Sequence, residues 1–107
     1  MDTLKKIEDI INQRKTSKPE ESYTAKLIND GNEKILKKIG EEAAELIIAG
    51  AKEEKKQIIY ETADTLYHIM VMLSYHNIRL EDVYKELEGR MGISGIEEKK
   101  RRNKWWN

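Results

Sequence analysis

The chain has no cysteine, no phenylalanine and one proline among its 107 residues. Without cysteine there is no disulfide framework, no thiolate metal site and no cysteine nucleophile, which fits a cytosolic protein. There is no excess of charge of either sign. Lys+Arg and Asp+Glu are both 20, for a formal net charge of zero. A general nucleic-acid binder is usually strongly basic, so no nucleic-acid partner is expected. No apolar run approaches the roughly 18 residues of a membrane span. The start, Met1 to Lys6, lacks the apolar stretch of a signal peptide. The expectation is therefore cytoplasmic, with no membrane partner. The length gives one domain, residues 1–107. A chain of this size is near the limit at which a core stands alone, so a helical pair with long exposed faces would gain from a partner chain.

What is present is abundant Ile, Leu, Lys and Glu, which points to an all-α bundle of about five helices. Leu4, Ile7, Ile10 and Ile11 recur at helical spacing and predict an amphipathic helix over 3–14. Lys5, Lys6, Glu8, Asp9 and Asn12 form its polar face. Pro19 ends the basic loop that follows. Ser22 is placed to cap a short helix, and Gly31 is free to adopt the positive φ that ends it. The next helix, 33–50, carries Ile35, Leu36, Ile39, Ala43, Leu46, Ile47 and Ala49 as an apolar stripe. Gly40 weakens its interior by about 1 kcal/mol relative to alanine, so a close approach by another helix or a ligand is expected there. After a turn at 50–54, a helix over 55–76 carries Ile58, Ile59, Thr62, Leu66, Ile69, Met70 and Leu73. It is apolar nearly all round from Leu66 to Leu73, which suggests burial on more than one face, as in a homo-oligomer. A last helix over 81–91 is expected to turn Val83, Leu87 and Met91 inward. Residues 92–107 read as a tail with a turn at Gly92–Gly95. There Trp105 and Trp106 can cover apolar surface.

Acid is concentrated on the two long helices. Glu42 and Glu45 lie at i and i+3 on one, and Glu61 and Asp64 at i and i+3 on the other. Such pairs are neighbours on a helix surface. If the helices pack antiparallel, all four face one another. Two charges about 6 Å apart repel by roughly 3 kcal/mol at an effective dielectric of about 20, so the cluster calls for cations. A hard divalent ion with oxygen ligands answers it, and Mg²⁺ commonly combines carboxylates with a substrate's phosphates. The bland alternative is a solvated face laced by Lys34, Lys38 and Glu42 at i+4 spacing. His68, four residues beyond Asp64, reads as a packed histidine bonded to a neighbour, and His76 receives no function.

The pattern Glu-Glu-x-x-Glu, a spacer, then Glu-x-x-Asp resembles the all-α MazG-like nucleotide pyrophosphohydrolases. The flanks narrow this. Ser22-Tyr23-Thr24-Ala25-Lys26-Leu27, Asp30-Gly31, Lys34 to Glu42, Tyr60 to His68 and Arg90 to Gly95 together resemble the phosphoribosyl-ATP pyrophosphohydrolase family. That resemblance implies an all-α helical homodimer. It implies Mg²⁺-dependent hydrolysis of phosphoribosyl-ATP to phosphoribosyl-AMP and pyrophosphate, the second step of histidine biosynthesis. The length leaves no room for the cyclohydrolase domain often fused to this family, so the stand-alone form is expected. Arg79 stands where a serine cap would be unsurprising.

Phosphoanhydride hydrolysis is mostly positioning plus neutralisation of phosphate charge. On this reading Glu42, Glu45, Glu61 and Asp64 hold one or two Mg²⁺ ions. Glu41 or Glu42 takes the proton of the attacking water. Lys26, Lys34, Lys37 and Lys38 hold substrate phosphates as point charges, and Ser22 and Thr24 donate hydrogen bonds to substrate. Two rivals stay open: a housekeeping nucleoside triphosphate pyrophosphatase of the same superfamily, and a non-catalytic helical dimer. A ferritin-like di-iron site would want Glu-x-x-His, which neither acid motif has.

Overall fold

A computed structural model describes residues 2–91, and the expectations for the 92–107 tail, including Trp105 and Trp106, lie outside it. Those described residues form five α-helices and no strand: α1 (Thr3–Arg14), α2 (Tyr23–Asp30), α3 (Asn32–Lys52), α4 (Lys55–Tyr75) and α5 (Leu80–Arg90). The chain is thus all-α, as expected.

Each boundary has a local cause. The Asp2 carboxylate accepts from the Leu4 N–H at 3.0 Å and starts α1. Pro19, whose fixed φ suits a first helical position, opens a single 3-10 turn, Pro19–Glu21, between the basic loop and α2. Ser22 Oγ then accepts from the Ala25 N–H at 3.2 Å and caps α2. Gly31, at φ 104°, separates α2 from α3; a side chain there would be strained. Glu53 in the left-handed region and Glu54 are the whole link between α3 and α4, so these two helices of 21 residues fold back as an antiparallel pair.

The core gathers at one end of that pair. Ile11, Leu27, Ile35, Met70, Val71 and Leu80 are buried together, with Leu4, Ile7, Ile28, Ile39, Tyr67, Met72, Tyr75 and Tyr84 packed around them. These come from the first half of α3, the second half of α4, and α1, α2 and α5. The other end of the hairpin is bare. Ile47 (71% exposed), Ile48, Ile59 (69%) and Tyr60 stand in the open, with Leu66 partly so. The apolar stripes read from sequence therefore divide: Ile35, Ala49 and Met70 are buried, Ile39, Ile69 and Leu73 are partly so, and Leu36, Ile47, Ile59 and Leu66 are exposed.

Three further expectations are corrected. Leu87 and Met91 are exposed, and α5 instead sends Leu80 and Tyr84 toward the core. Gly40 has nothing within 4 Å of where a Cβ would stand, so no helix of this chain approaches it closely. Glu8, placed on a polar face, is buried. It accepts from the Leu80 N–H at 2.7 Å and from Lys5 Nζ at 3.0 Å, and so serves the start of α5 from α1. Burial works to raise the Glu8 carboxyl, but the Leu80 N–H, Lys5 and Arg79 outweigh it and hold it below its ordinary value. A serine at 79 would accept an N–H of the first turn; here the Leu80 N–H donates to Glu8 at 2.7 Å and the Asp82 N–H to the Arg79 carbonyl at 3.0 Å.

Candidate active site

The α3–α4 pairing brings three acids together. Oxygens of Glu42, Glu61 and Asp64 all lie within 4.8 Å of one another. The fourth acid, Glu45, is exposed and is not part of this trio. Its position one turn beyond Glu42 leaves a long, free side chain beside the cluster.

Glu61 is the most confined of the three. It is 5% exposed. Its Oε2 accepts from Gln57 Nε2 at 2.8 Å, while its Oε1 is buried with no hydrogen-bond partner. A buried acceptor left unpaired costs about 1–3 kcal/mol, and more when charged. A cation seated among the trio would supply the missing partner. The residues present therefore fit a hard divalent ion: all donors are carboxylate oxygens, and one of them lacks any other contact.

Crowding sets the Glu42 and Asp64 carboxyls apart. Asp64 is raised above its ordinary value, by burial first and then by the proton it shares with the Glu42 carboxyl and by the Glu42 charge. Glu42 is lowered, because Asp64 donates to it and because Lys38 stands beside it, against the opposing effect of burial. The two carboxyls therefore titrate apart, with Glu42 the stronger acid and Asp64 the weaker.

Beside the trio lies an open cleft of about 320 Å³ lined by Tyr23, Lys26, Leu27, Asp30, Lys34, Lys38 and Glu41. Three of the four lysines singled out from sequence are thus in one wall. Lys37 lies next to them, with Asp30, Glu33 and Lys34. Lys38 Nζ stands 3.4 Å from Glu42 and 3.7 Å from Glu41, so it joins cleft to trio. Lys26 pairs with Asp30 at 3.1 Å. Glu41 lines the cleft and stays outside the trio.

The two hydroxyls expected to reach substrate are turned inward instead. Ser22 is buried and capping α2, and Thr24 is buried with its hydroxyl bonded to that of Tyr67. Ser22 caps the first turn of α2, and Thr24 fastens that turn to α4 through Tyr67. Sequence reading missed Tyr23 and Gln57. Tyr23 stood inside the quoted Ser-Tyr-Thr-Ala-Lys segment, and Gln57 sits one turn before Glu61, where an amide can reach the carboxylate. His68 is packed and bonded to neighbours, as expected. Its Nδ1 lies 2.8 Å from the Asp64 carbonyl oxygen and its Nε2 lies 2.9 Å from the Tyr23 hydroxyl.

Comparison with known proteins adds an independent line. The family model for phosphoribosyl-ATP pyrophosphohydrolase matches residues 4–91. A protein of Geobacter sulfurreducens named phosphoribosyl-ATP pyrophosphatase is 50% identical over 102 residues, covering 95% of this chain and 94% of its own. One of the same name from Dechloromonas aromatica is 45% identical, covering 92% and 91%. Another, from Geotalea daltonii, is 47% identical, covering 96% and 97%. Identity at this level over nearly whole chains, on a fold that gathers three of the four family-type acids, leads to one conclusion: the chain belongs to the phosphoribosyl-ATP pyrophosphohydrolase family.

Proposed function

We propose that this chain is a cytoplasmic hydrolase of histidine biosynthesis that converts phosphoribosyl-ATP to phosphoribosyl-AMP and pyrophosphate with Mg²⁺. The observation that carries this reading is the acid trio with its buried, unpartnered Glu61 oxygen, set beside a lysine-lined cleft, in a chain whose relatives bear that enzyme's name. Glu42, Glu61 and Asp64 would hold the ion, with Glu45 as a fourth donor brought in by a side-chain rotation. When bound, Mg²⁺ supplies charge neutralisation for phosphate oxygens and lowers the pKa of a bound water.

The chain's own side chains do the rest. Lys26, Lys34 and Lys38 line the cleft as point charges suited to phosphates, with Lys37 at its margin. Lys38 now pairs with Glu42 and can exchange that contact for a substrate oxygen once Glu42 is engaged elsewhere. Two carboxylates outside the trio line the cleft; Asp30 is paired with Lys26, and Glu41, which shares Lys38 with Glu42, is assigned the proton of the attacking water. Ser22 and Thr24 fix the first turn of α2 and hence the placement of Lys26 in the cleft wall.

A homodimer belongs to the same proposal. The bare end of the hairpin exposes Ile47, Ile48, Ile59 and Tyr60 close to one turn, and exposed large apolar side chains in number mark an interaction site. A second copy of the chain would cover it.

The substrate assignment is tested by comparing turnover of phosphoribosyl-ATP with that of a panel of ordinary and deoxynucleoside triphosphates. Preference for phosphoribosyl-ATP is expected. Preference for a deoxynucleoside triphosphate would instead make the chain a housekeeping pyrophosphatase on the same metal site. Turnover of none would favour a non-catalytic dimer.

A further inference from the structure

Tyr23 takes no part in the chemistry above, yet its placement is informative. It stands in the first turn of α2, on the wall of the lysine-lined cleft. The residue is 54% exposed, while its hydroxyl is bonded inward to His68, which is only 3% exposed. A tyrosine that merely covers surface ordinarily keeps its polar tip in water and its ring against protein. Here the arrangement is reversed.

His68 is itself held from several sides. A carbonyl oxygen only accepts, so Nδ1 donates to the Asp64 main chain, with the Asp64 carboxylate 3.5 Å away, while Nε2 is bonded to the Tyr23 hydroxyl. The rings of Tyr23 and Tyr67 meet the imidazole edge-on, with centroids 5.9 and 5.8 Å away. The Tyr23 hydroxyl is therefore committed to the interior, and what the residue offers the cleft is its ring. A nucleotide needs two kinds of contact: cations for its phosphates and a flat apolar face for its base. Lys26, Lys34 and Lys38 supply the first. Of the two apolar residues lining the cleft, Leu27 is buried in the core, which leaves the Tyr23 ring as the exposed one.

We propose that the Tyr23 ring is the platform on which the purine of the substrate stacks, and that His68 is the positioning residue that holds it there. The inference rests on a nucleotide substrate, as proposed above. Because His68 bonds the main chain of Asp64, the platform is fixed relative to the acid trio. Base recognition is thereby tied to the place where the anhydride is cut.

The test is calorimetric binding of two probes in Mg²⁺ buffer, AMP and inorganic tripolyphosphate, to wild type, Tyr23→Leu, Tyr23→Phe and His68→Gln. Tyr23→Leu is expected to weaken AMP about tenfold, equivalent to about 1.4 kcal/mol, and to leave tripolyphosphate within about twofold. Tyr23→Phe keeps the ring and loses its anchor, so its loss for AMP should be smaller. His68→Gln should resemble Tyr23→Phe, again without a loss for tripolyphosphate. Equal weakening of both probes in Tyr23→Leu, or no weakening of AMP, overturns the platform. A loss for tripolyphosphate in His68→Gln overturns the positioning role and places His68 with the metal site. Thermal melts of each variant separate these results from misfolding. Wild-type turnover of phosphoribosyl-ATP is followed in the same preparation. Its absence, together with an AMP-selective loss in Tyr23→Leu, would reject the reaction and keep the platform.

Discussion

At the scale of single residues, the acid trio and Glu8 show two ways to bury a carboxylate. Glu8 has donors for both of its oxygens, from Lys5 and Leu80, and helps to hold α5 on α1. Its folded-state value is depressed, so the stability it adds is present above its ordinary value of 4.5 and is lost as pH falls through the lower folded value. Glu8→Gln should therefore flatten the acid limb of a Tm-against-pH curve below about pH 4.5, and an unchanged limb would remove Glu8 from the account. Glu61, by contrast, has one oxygen without a partner. Adding Mg²⁺ should raise the Tm of the wild type, since a ligand that binds only the folded state stabilises it. The same titration on Glu61→Gln should give little or no rise. The i, i+3 acid pairs made Glu42, Glu61 and Asp64 legible in the sequence, because helical spacing dictates who shares a face. Glu8 was not legible. Its partner Leu80 is 72 residues away, and nothing in a helical polar face announces an N–H arriving from so far along the chain.

Among the helices, α3 and α4 were readable nearly to the residue, because each carries a long apolar stripe and they are separated by an obvious break. The inward face of α5 was misread. Val83, Leu87 and Met91 form a plausible stripe, but α5 meets the core only through its first turns, where Leu80 and Tyr84 do the packing. The sequence shows only a basic loop after α1. In the fold its Lys15 Nζ donates to the Ser74 carbonyl at 2.6 Å and to Asn77 Oδ1 at 3.1 Å, at the C-terminal end of α4. A cation is favourable there, and Lys15→Met should cost about 1 kcal/mol of unfolding free energy in urea titration. Gly40 lies exposed in the middle of α3 with open space around it. Gly40→Ala should add up to about 1 kcal/mol in the same measurement. A loss instead would mean that something outside this chain presses on that face.

For the whole molecule, the uneven placement of the core is the leading feature. One end of the α3–α4 hairpin is clothed by α1, α2 and α5, and the other presents Ile47, Ile48, Ile59 and Tyr60 to solvent. The sequence hinted at this through a second acid helix apolar on too many sides, though it placed the excess at Leu66–Leu73. Most of that stretch is covered by the chain itself, and the bare residues lie nearer the hairpin turn. Periodicity reports how much apolar surface a helix carries, not which neighbour covers each part. Ile59→Lys should convert a dimer into monomers in sedimentation equilibrium. A wild type that sediments as a monomer would remove the second copy from the account.

The central claim is that the acids gathered between α3 and α4 cut phosphoribosyl-ATP. It is tested most directly by pyrophosphate release from that compound in Mg²⁺, for wild type and Glu61→Gln, with circular dichroism confirming that both are folded. The account predicts robust release by the wild type and a fall of about a hundredfold or more in the variant, the scale set by removing one preorganised charge contact. Release by Glu61→Gln at the wild-type rate, from a protein shown to be folded, would contradict it.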